Sequence, residues 1–333
     1  MIIEAWTHTL PWAVTFARET RNLGALPLIT YEDETAYWDA VRDGEYAVLG
    51  KAAAHEWAAL AKTDVFIHLW GPGDRVRLHE LSDARVDRLF AFNASWYEAA
   101  KKAGLRGVRL ELGRVHPSTA RAYHLDASKW TDQIVQGTMV PPDALARAAA
   151  PIARAFGRGK RVRIHDRHGT DLTLGLAHRP IRVIAGRPGS EPFGMLVTLP
   201  SGLVRVALDE SVADGTIVAN RSSYYEDGQA TGGVLRFSRG KLTSAEFDHG
   251  GERFRSGFRK GGKGRDRPGI LSIGLNPRLR NTPPDEDLER GAALVAVGGN
   301  RGLGGKNPSP FFGWVVNAGA TVEVDGRVVF PGR

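Results

Sequence analysis

The chain has 333 residues, a formal net charge of +8 and an ordinary globular composition, with 42% hydrophobic and 8% aromatic residues. This length is enough for two domains that each bury a substantial core. The absence of cysteine excludes disulfide bonds, zinc sites built from thiolates and cysteine nucleophiles.

Helical and strand patterns alternate in the N-terminal part of the chain. In order, the sequence predicts helix 10–24, strand 25–31, helices 34–41 and 52–62, strand 64–72, and a helix and a strand within 85–113. Helices that alternate with apolar strands are typical of a parallel sheet with helices on its faces. We therefore predict an α/β N-terminal domain over residues 1–140.

The pattern changes after the proline pair Pro141 and Pro142. Residues 141–164 are typical of an amphipathic helix, a glycine cap and a strand. Short strands separated by turn residues follow from Val162, beginning with a hairpin through His168. We predict a mainly antiparallel β (α+β) domain over residues 141–333, with one helix near 285–291.

Two stretches of this second domain carry candidate chemistry. The glycine-rich segment 298–310 brings backbone amides close to a ligand, and its Lys306, Asn307 and Ser309 are suited to bind a carboxylate or stabilise an oxyanion. It lacks the residue order of a P-loop. The segment 222–233 holds Tyr225 and Glu226, which act as acid or base when partly desolvated; the alternative is an exposed hairpin tip.

Much of the net positive charge comes from residues 253–267, which hold seven Lys or Arg and one Asp. The favoured interpretation is a solvated, mobile loop, and the alternatives are a clamp over an anionic substrate or a nucleic-acid contact. The sequence does not favour nucleic acid, because no aromatic platform or helix-turn-helix spacing accompanies the charges. The chain also lacks an apolar run of about 18 residues and a signal-peptide pattern. We expect a cytoplasmic protein with no membrane partner.

Several motifs of the C-terminal half resemble the thermophilic aminopeptidase family, which includes aminopeptidases T and S. They are G-x-N-P at 274–277, G-G-N at 298–300, G-G-K-N-P-S-P at 304–310 and T-V-x-V-D-G at 321–326. GTDLTLGL, LPSGLV and DGTIV precede them in the family's order, and P-x-T-A at 117–120 is similar more loosely. The resemblance implies a thermophilic-aminopeptidase-like fold and a homodimeric metallopeptidase with two divalent metals. A related dihydroxypyridine dioxygenase uses similar positions for iron.

The positions that match the family's metal ligands depart from its pattern. Where the family has Glu, Glu, His, Tyr, His and Asp, this chain has Leu203, Ile270 or Leu271, Leu294, Arg301, Phe312 and Trp314. Divalent metals need carboxylate or imidazole donors, which these residues do not offer. We therefore predict a metal site that has been lost, and no cofactor.

Three functions remain open. The favoured one is a metal-independent enzyme that acts on a small anionic substrate in the cleft between the domains. The alternatives are a non-catalytic pseudo-peptidase that binds a peptide or metabolite, and a metal-dependent leucyl aminopeptidase-type peptidase whose ligands are misaligned here. In each, the partners are a small-molecule or short-peptide ligand and a second copy of the chain. The predicted catalytic residues are Lys306, Glu226 and Tyr225, and the predicted substrate-binding residues are Arg301, Asn300, Asn307, Ser309, Phe312 and Trp314.

Overall fold

The structure is a computed structural model that describes residues 1–187, 195–225, 228–283 and 286–332. The chain divides into two compact units: an N-terminal unit of Met1–Ile134 with the short strand Leu196–Leu199, and a C-terminal unit that holds the rest. A domain boundary at residue 140 stays a prediction. Within the described part of the chain, no helix is both long and apolar enough to cross a membrane.

The described residues form eight α-helices and seventeen β-strands. The helices are α1 Leu10–Asn22, α2 Glu34–Asp43, α3 Ala54–Ala61, α4 Asp83–Lys102, α5 Pro117–Ala122, α6 Ala127–Thr138, α7 Pro142–Arg158 and α8 Glu252–Lys260. The first strands are β1 Ile2–Trp6, β2 Leu28–Glu32, β3 Val65–His68, β4 Arg106–Leu110, β5 Arg161–His165, β6 Asp171–Ile184, β7 Leu196–Leu199 and β8 Leu203–Val218. The later strands are β9 Ser223–Tyr225, β10 Gly228–Ala230, β11 Val234–Ser238, β12 Lys241–Glu246, β13 Pro268–Gly274, β14 Ala292–Gly298, β15 Phe312–Ala318, β16 Thr321–Val324 and β17 Arg327–Phe330.

Five strands of the described N-terminal unit form a parallel sheet in the order β2-β1-β3-β4-β7. Strand β1 was not predicted, yet it lies between β2 and β3. A parallel sheet needs cover on both faces. On one face Ile3 and Ala5 pack with Ala13 of α1, and on the other Ile2 packs with Leu60 of α3 and with α4.

Ten strands of the described C-terminal unit form an antiparallel sheet. Its main path is β15-β14-β13-β8-β6-β5-β16-β17, and β11 and β12 extend it from β8. One face packs against α7, whose Leu145, Ile152 and Phe156 are buried. Both β13 and β14 are buried at every residue, so the sheet is covered on both faces there. The predicted fold class is confirmed.

Two local predictions in the C-terminal unit were wrong. The basic segment was predicted as a loop, but its first half is the helix α8. Phe254 and Phe258, four residues apart, lie on one side of this helix and pack against Phe311. The helix expected near 285–291 is only a short 3-10 turn, Glu286–Leu288, and Asp285 lies outside the described residues.

Candidate functional site

Three of the positions that the resemblance predicts to match metal ligands share one face of the antiparallel sheet. Ile270, Leu294 and Trp314 belong to one apolar cluster on β13, β14 and β15. Leu271 points to the opposite face, into the core beneath α7. Ile270 is therefore the member of the alternative pair that shares a face with Leu294.

Leu203 lies apart from this cluster, whereas the ring of Phe312 is 5.7 Å from that of Trp314. Leu203 is buried in a separate group with Ile184, Leu279 and Leu288. Arg301 is exposed on a 3-10 turn, and Phe312 is 43% exposed at the start of β15. The pairing of Ala296 with Trp314, and of Gly298 with Phe312, places both aromatic residues beside β14.

Beside the same sheet lie three buried carboxylates, Glu286, Asp287 and Glu289, each of them at most 3% exposed. Asp287 accepts a hydrogen bond of 2.7 Å from Nη2 of Arg205, and Nε of Arg205 donates to Oγ of the buried Ser272, also at 2.7 Å. A buried carboxylate is costly unless an opposite charge compensates it. Arg205 supplies that charge for Asp287.

Glu289 is compensated in the same way. Arg221 donates two parallel hydrogen bonds to it, from Nε at 2.7 Å and from Nη2 at 2.8 Å. The backbone amide of Asn281 donates a third, and Arg280 lies 3.6 Å away. Burial alone would raise the pKa of Glu289, but the bonds from Arg221 outweigh it, and the pKa is lowered. The carboxylate is therefore charged, and its oxygens accept hydrogen bonds from Arg221 and Asn281.

Glu286 forms no ion pair with an arginine among the residues that the structure describes. Its Oε1 accepts a short hydrogen bond from Nε1 of Trp314 and one of 3.3 Å from the backbone amide of Tyr224. Its Oε2 has no hydrogen-bond partner in the described part of the chain. Burial raises the pKa of Glu286 well above its usual range, although the bond from Trp314 acts in the opposite direction. Burial thus keeps this side chain a neutral acid.

Replacing Glu286 with glutamine is expected to change how stability depends on pH. An unfolded chain releases this proton near pH ~4.3, whereas the raised folded pKa retains it. Glu286 therefore makes its largest contribution to the free energy of unfolding below pH ~4.3. As the pH rises, this contribution falls by about 1.4 kcal/mol per pH unit until the pH exceeds the pKa of the folded state. Glutamine stays neutral, so Glu286→Gln gains stability over the natural chain between about pH 5 and pH 8.

Thermal unfolding of both proteins across this pH range measures the difference. Glu252→Gln is the matched control, because Glu252 is exposed on α8. A melting-temperature difference that does not vary with pH would contradict a neutral Glu286.

The two-metal centre that the resemblance implies does not fit these residues. Ile270, Leu294 and Trp314 carry no metal donor, and the nearby carboxylates are either paired with arginine or neutral. Among the residues that the structure describes, no group of three or more His, Asp or Glu side chains is arranged to hold a metal ion. We therefore derive no step through a metal.

Three of the predicted site residues do lie together. The rings of Tyr225 and Trp314 are 4.9 Å apart, and those of Phe312 and Trp314 are 5.7 Å apart. Glu286 joins this group through Trp314. Glu226, predicted as catalytic, lies outside the described residues.

Other predicted residues hold the glycine-rich loop together. Nδ2 of Asn300 donates to the Gly269 carbonyl at 3.1 Å, and its Oδ1 accepts from the amide of Asn307 at 2.9 Å. Nδ2 of Asn307 donates to the carbonyls of Gly264 and Gly298. Oγ of Ser309 donates to the Gly261 carbonyl at 2.7 Å. All three side chains bond backbone groups of the segments around the loop, and a ligand contact by them stays a prediction.

Lys306 lies in a different setting, which we name the basic cleft. This cleft has a volume of about 700 Å³ and lies between the glycine-rich loop, β12 and the segment after α8. Two carboxylates and five cationic side chains line it: Glu210, Asp266, Lys241, Lys263, Arg265, Arg267 and Lys306.

Charges in the basic cleft are unevenly paired. Glu210 accepts two hydrogen bonds from Arg179 and one from the backbone amide of Lys306. Burial would raise the pKa of Glu210, but these bonds lower it to about 2. Within the described residues, the ammonium groups of Lys241, Lys263 and Lys306 form no ion pair. The cleft therefore presents a net positive surface to a ligand.

Sequence reasoning missed Glu286, Asp287, Glu289 and their arginine partners. Arg205 and Asp287 are separated by 82 positions, and Arg221 and Glu289 by 68. The only available signal was the run of acidic residues after Pro284. Pairing across such distances depends on the sheet register.

No protein-family profile matches the sequence, and no curated protein matches it significantly. Solved structures do match. AmpT from Thermus thermophilus, a thermophilic aminopeptidase, superposes with a TM-score of 0.72 at 19% identity, over 99% of this chain and 94% of that one. The 2,5-dihydroxypyridine dioxygenase of Pseudomonas putida KT2440 superposes with a TM-score of 0.61 at 16% identity, over 99% and 90%. The chain thus shares its fold with AmpT.

Proposed function

We propose that this chain is a metal-independent enzyme with an aminopeptidase-like fold that acts on a small anionic substrate held in the basic cleft. The observation that carries the proposal is a cleft of about 700 Å³ lined by Lys241, Lys263 and Lys306, whose ammonium groups form no ion pair with any described residue. That volume suits a small molecule. Ammonium groups that line one cleft favour carboxylate or phosphate ligands.

Independence from metal is supported by how the buried carboxylates are compensated. A chain that bound two divalent ions on the apolar face would need charged, available donors there. Instead Arg205 pairs with Asp287 and Arg221 with Glu289. The arginines neutralise charge that a metal would otherwise neutralise.

Within this proposal Lys306 contacts the substrate in the basic cleft. Tyr225, the other predicted catalytic residue that the structure describes, does not line this cleft and packs against Trp314. Arg265 stacks 5.1 Å from the ring centre of Phe258, and its Nη1 donates to the Arg259 carbonyl. This arginine is held in one orientation. A homodimer in the cytoplasm remains part of the hypothesis.

Inorganic pyrophosphate and citrate are suitable probes, because both are small polyanions. We expect calorimetric binding of at least one of them, weakened about tenfold by each of Lys241→Gln, Lys263→Gln and Lys306→Gln, since a hydrogen bond to a charged group contributes about 1.5–3 kcal/mol. Lys160→Gln is the control, because Lys160 is exposed outside the cleft. Equal binding by the triple variant and the natural chain would contradict the proposal.

Turnover and elemental analysis separate the alternatives. Hydrolysis of substrates that carry a carboxylate or phosphate, in the presence of a chelator and lost in Lys306→Gln, is the expected result. Anion binding without turnover would identify a non-catalytic pseudo-peptidase. Stoichiometric zinc, manganese or iron in the purified protein, with chelator-sensitive release of N-terminal leucine, would identify the metal-dependent peptidase instead.

A further inference from the structure

The N-terminal unit contains a pocket of about 550 Å³ that is separate from the residues described above. Its lining comes from β1, β2 and β3 and from the helices α2, α3 and α4 with the segment that joins α2 to α3. The volume falls in the range of small-molecule sites. We name it the N-terminal pocket.

Seven aromatic side chains line the N-terminal pocket. Trp6 and Tyr37 meet edge to face with ring centres 4.9 Å apart, and Trp57 stacks on Phe92 at 6.0 Å. Trp96 packs against Phe66 at 5.1 Å. Ring faces carry negative partial charge, so a wall of this kind attracts cations as well as apolar groups.

The N-terminal pocket is lined by more acidic than basic residues, whereas the whole chain is basic. Four glutamates, at positions 4, 32, 45 and 56, face one lysine, Lys51, in a protein whose net charge is +8. Within the described residues, no ion pair engages Glu32, Glu45 or Glu56. Glu4 lies deeper, where Nδ1 of His68 is 3.1 Å from its Oε1.

The carboxylates are close enough to affect one another. Burial raises the pKa of Glu32, and the charges of Glu4 and Glu56 raise it further. Like charges gathered beside aromatic rings repel each other, and a bound cation would relieve that repulsion. The direction of this shift agrees with the geometry.

We propose that the N-terminal pocket binds a small organic cation, an ammonium or quaternary ammonium group on a compact apolar body. Ring faces of residues such as Trp57 and Trp6 contact the cation and its alkyl groups, and Glu32 and Glu56 supply the opposite charge. Neither the resemblance nor the proposed anion site in the other unit assigns this pocket a ligand. The inference is independent of both.

The test uses the full chain with benzyltrimethylammonium, and with choline against its neutral isostere 3,3-dimethylbutan-1-ol. Calorimetry is expected to show saturable binding of the cations and binding of the neutral alcohol that is weaker by about tenfold or more. Glu32→Gln combined with Glu56→Gln is expected to weaken cation binding about tenfold or more, and these exposed positions leave the fold intact. Trp57→Leu, checked for folding by circular dichroism, is expected to weaken it similarly.

Glu98→Gln is the matched control, because Glu98 is exposed on α4, the helix of Phe92 and Trp96, but does not line the pocket. Its cation affinity should equal that of the natural chain. Absence of cation binding, equal affinity for choline and the alcohol, or full affinity in the double glutamine variant would each overturn the proposal.

Discussion

Replacing Arg205 with alanine is expected to lower the free energy of unfolding by about 3–5 kcal/mol, the cost of leaving a buried charge without its partner. Asp287, 1% exposed, would keep its carboxylate but lose the guanidinium 2.7 Å away. Ser272, wholly buried, would lose the donor to its hydroxyl. Denaturant unfolding measures the change.

A second substitution separates the charge from the packing of the arginine. Arg205→Ala combined with Asp287→Asn removes both charges, so it should recover a large part of the lost stability. An Arg205→Ala variant that loses less than about 1 kcal/mol would show that the pair behaves like an exposed one. It would also weaken the case that arginine compensates these carboxylates in place of a metal.

The second large effect is expected from Phe254→Ala, which should cost about 3–5 kcal/mol by opening a cavity in the core. Phe254 is 2% exposed and meets the rings of Phe247, Phe258 and Phe311 at 5.1, 6.3 and 5.2 Å. It also lies over Gly313, where no side chain would fit. Thermal and denaturant unfolding measure the loss.

Phe254→Ala is also expected to weaken anion binding, because Phe254 holds α8 in place and the segment after α8 lines the basic cleft. Phe254→Leu fills more of the space, so it should cost less than alanine and leave anion binding closer to normal. Phe90→Ala is the control, since Phe90 is 42% exposed in the N-terminal unit. Equal losses for Phe254→Ala and Phe90→Ala would contradict a core role.

The fold class was predictable because periodicity is local. Alternation of helices and apolar strands predicted the parallel sheet, and short strands separated by turn residues predicted the antiparallel one. Strand β1 was missed, although Ile2, Ile3 and Ala5 occupy both faces of a central strand. It is short, and the turn before α1 gives no glycine or proline signal until Pro11.

Helix α8 was missed for a different reason. Its apolar face consists of only Phe254 and Phe258, and Gly257 with the surrounding charges makes the segment similar to a loop in composition. The phenylalanine cluster that stabilises the helix comes from residues 247 and 311, which no local pattern connects to it. Tertiary packing outweighed local propensity.

The candidate site was predictable only in part. The sequence predicted Tyr225 from its loop and, through the family resemblance, Phe312 and Trp314; in the structure the rings of Tyr225 and Phe312 both lie beside that of Trp314. The sequence did not reveal that Asn300, Asn307 and Ser309 bond backbone groups. It did not reveal the arginine partners of Asp287 and Glu289 either, since those depend on which strands are neighbours.

The late strand β7 has a consequence for synthesis of the chain. It pairs with β4 through Gly107–Leu110 opposite Leu196–Leu199 and forms an outer edge of the parallel sheet. A ribosome makes α7, β5 and β6 of the C-terminal unit before it reaches this strand. A nascent chain halted at Ile134 would leave the amides and carbonyls of β4 open to pairing with another molecule. The parallel sheet of the N-terminal unit is therefore completed only after part of the C-terminal unit has been synthesised.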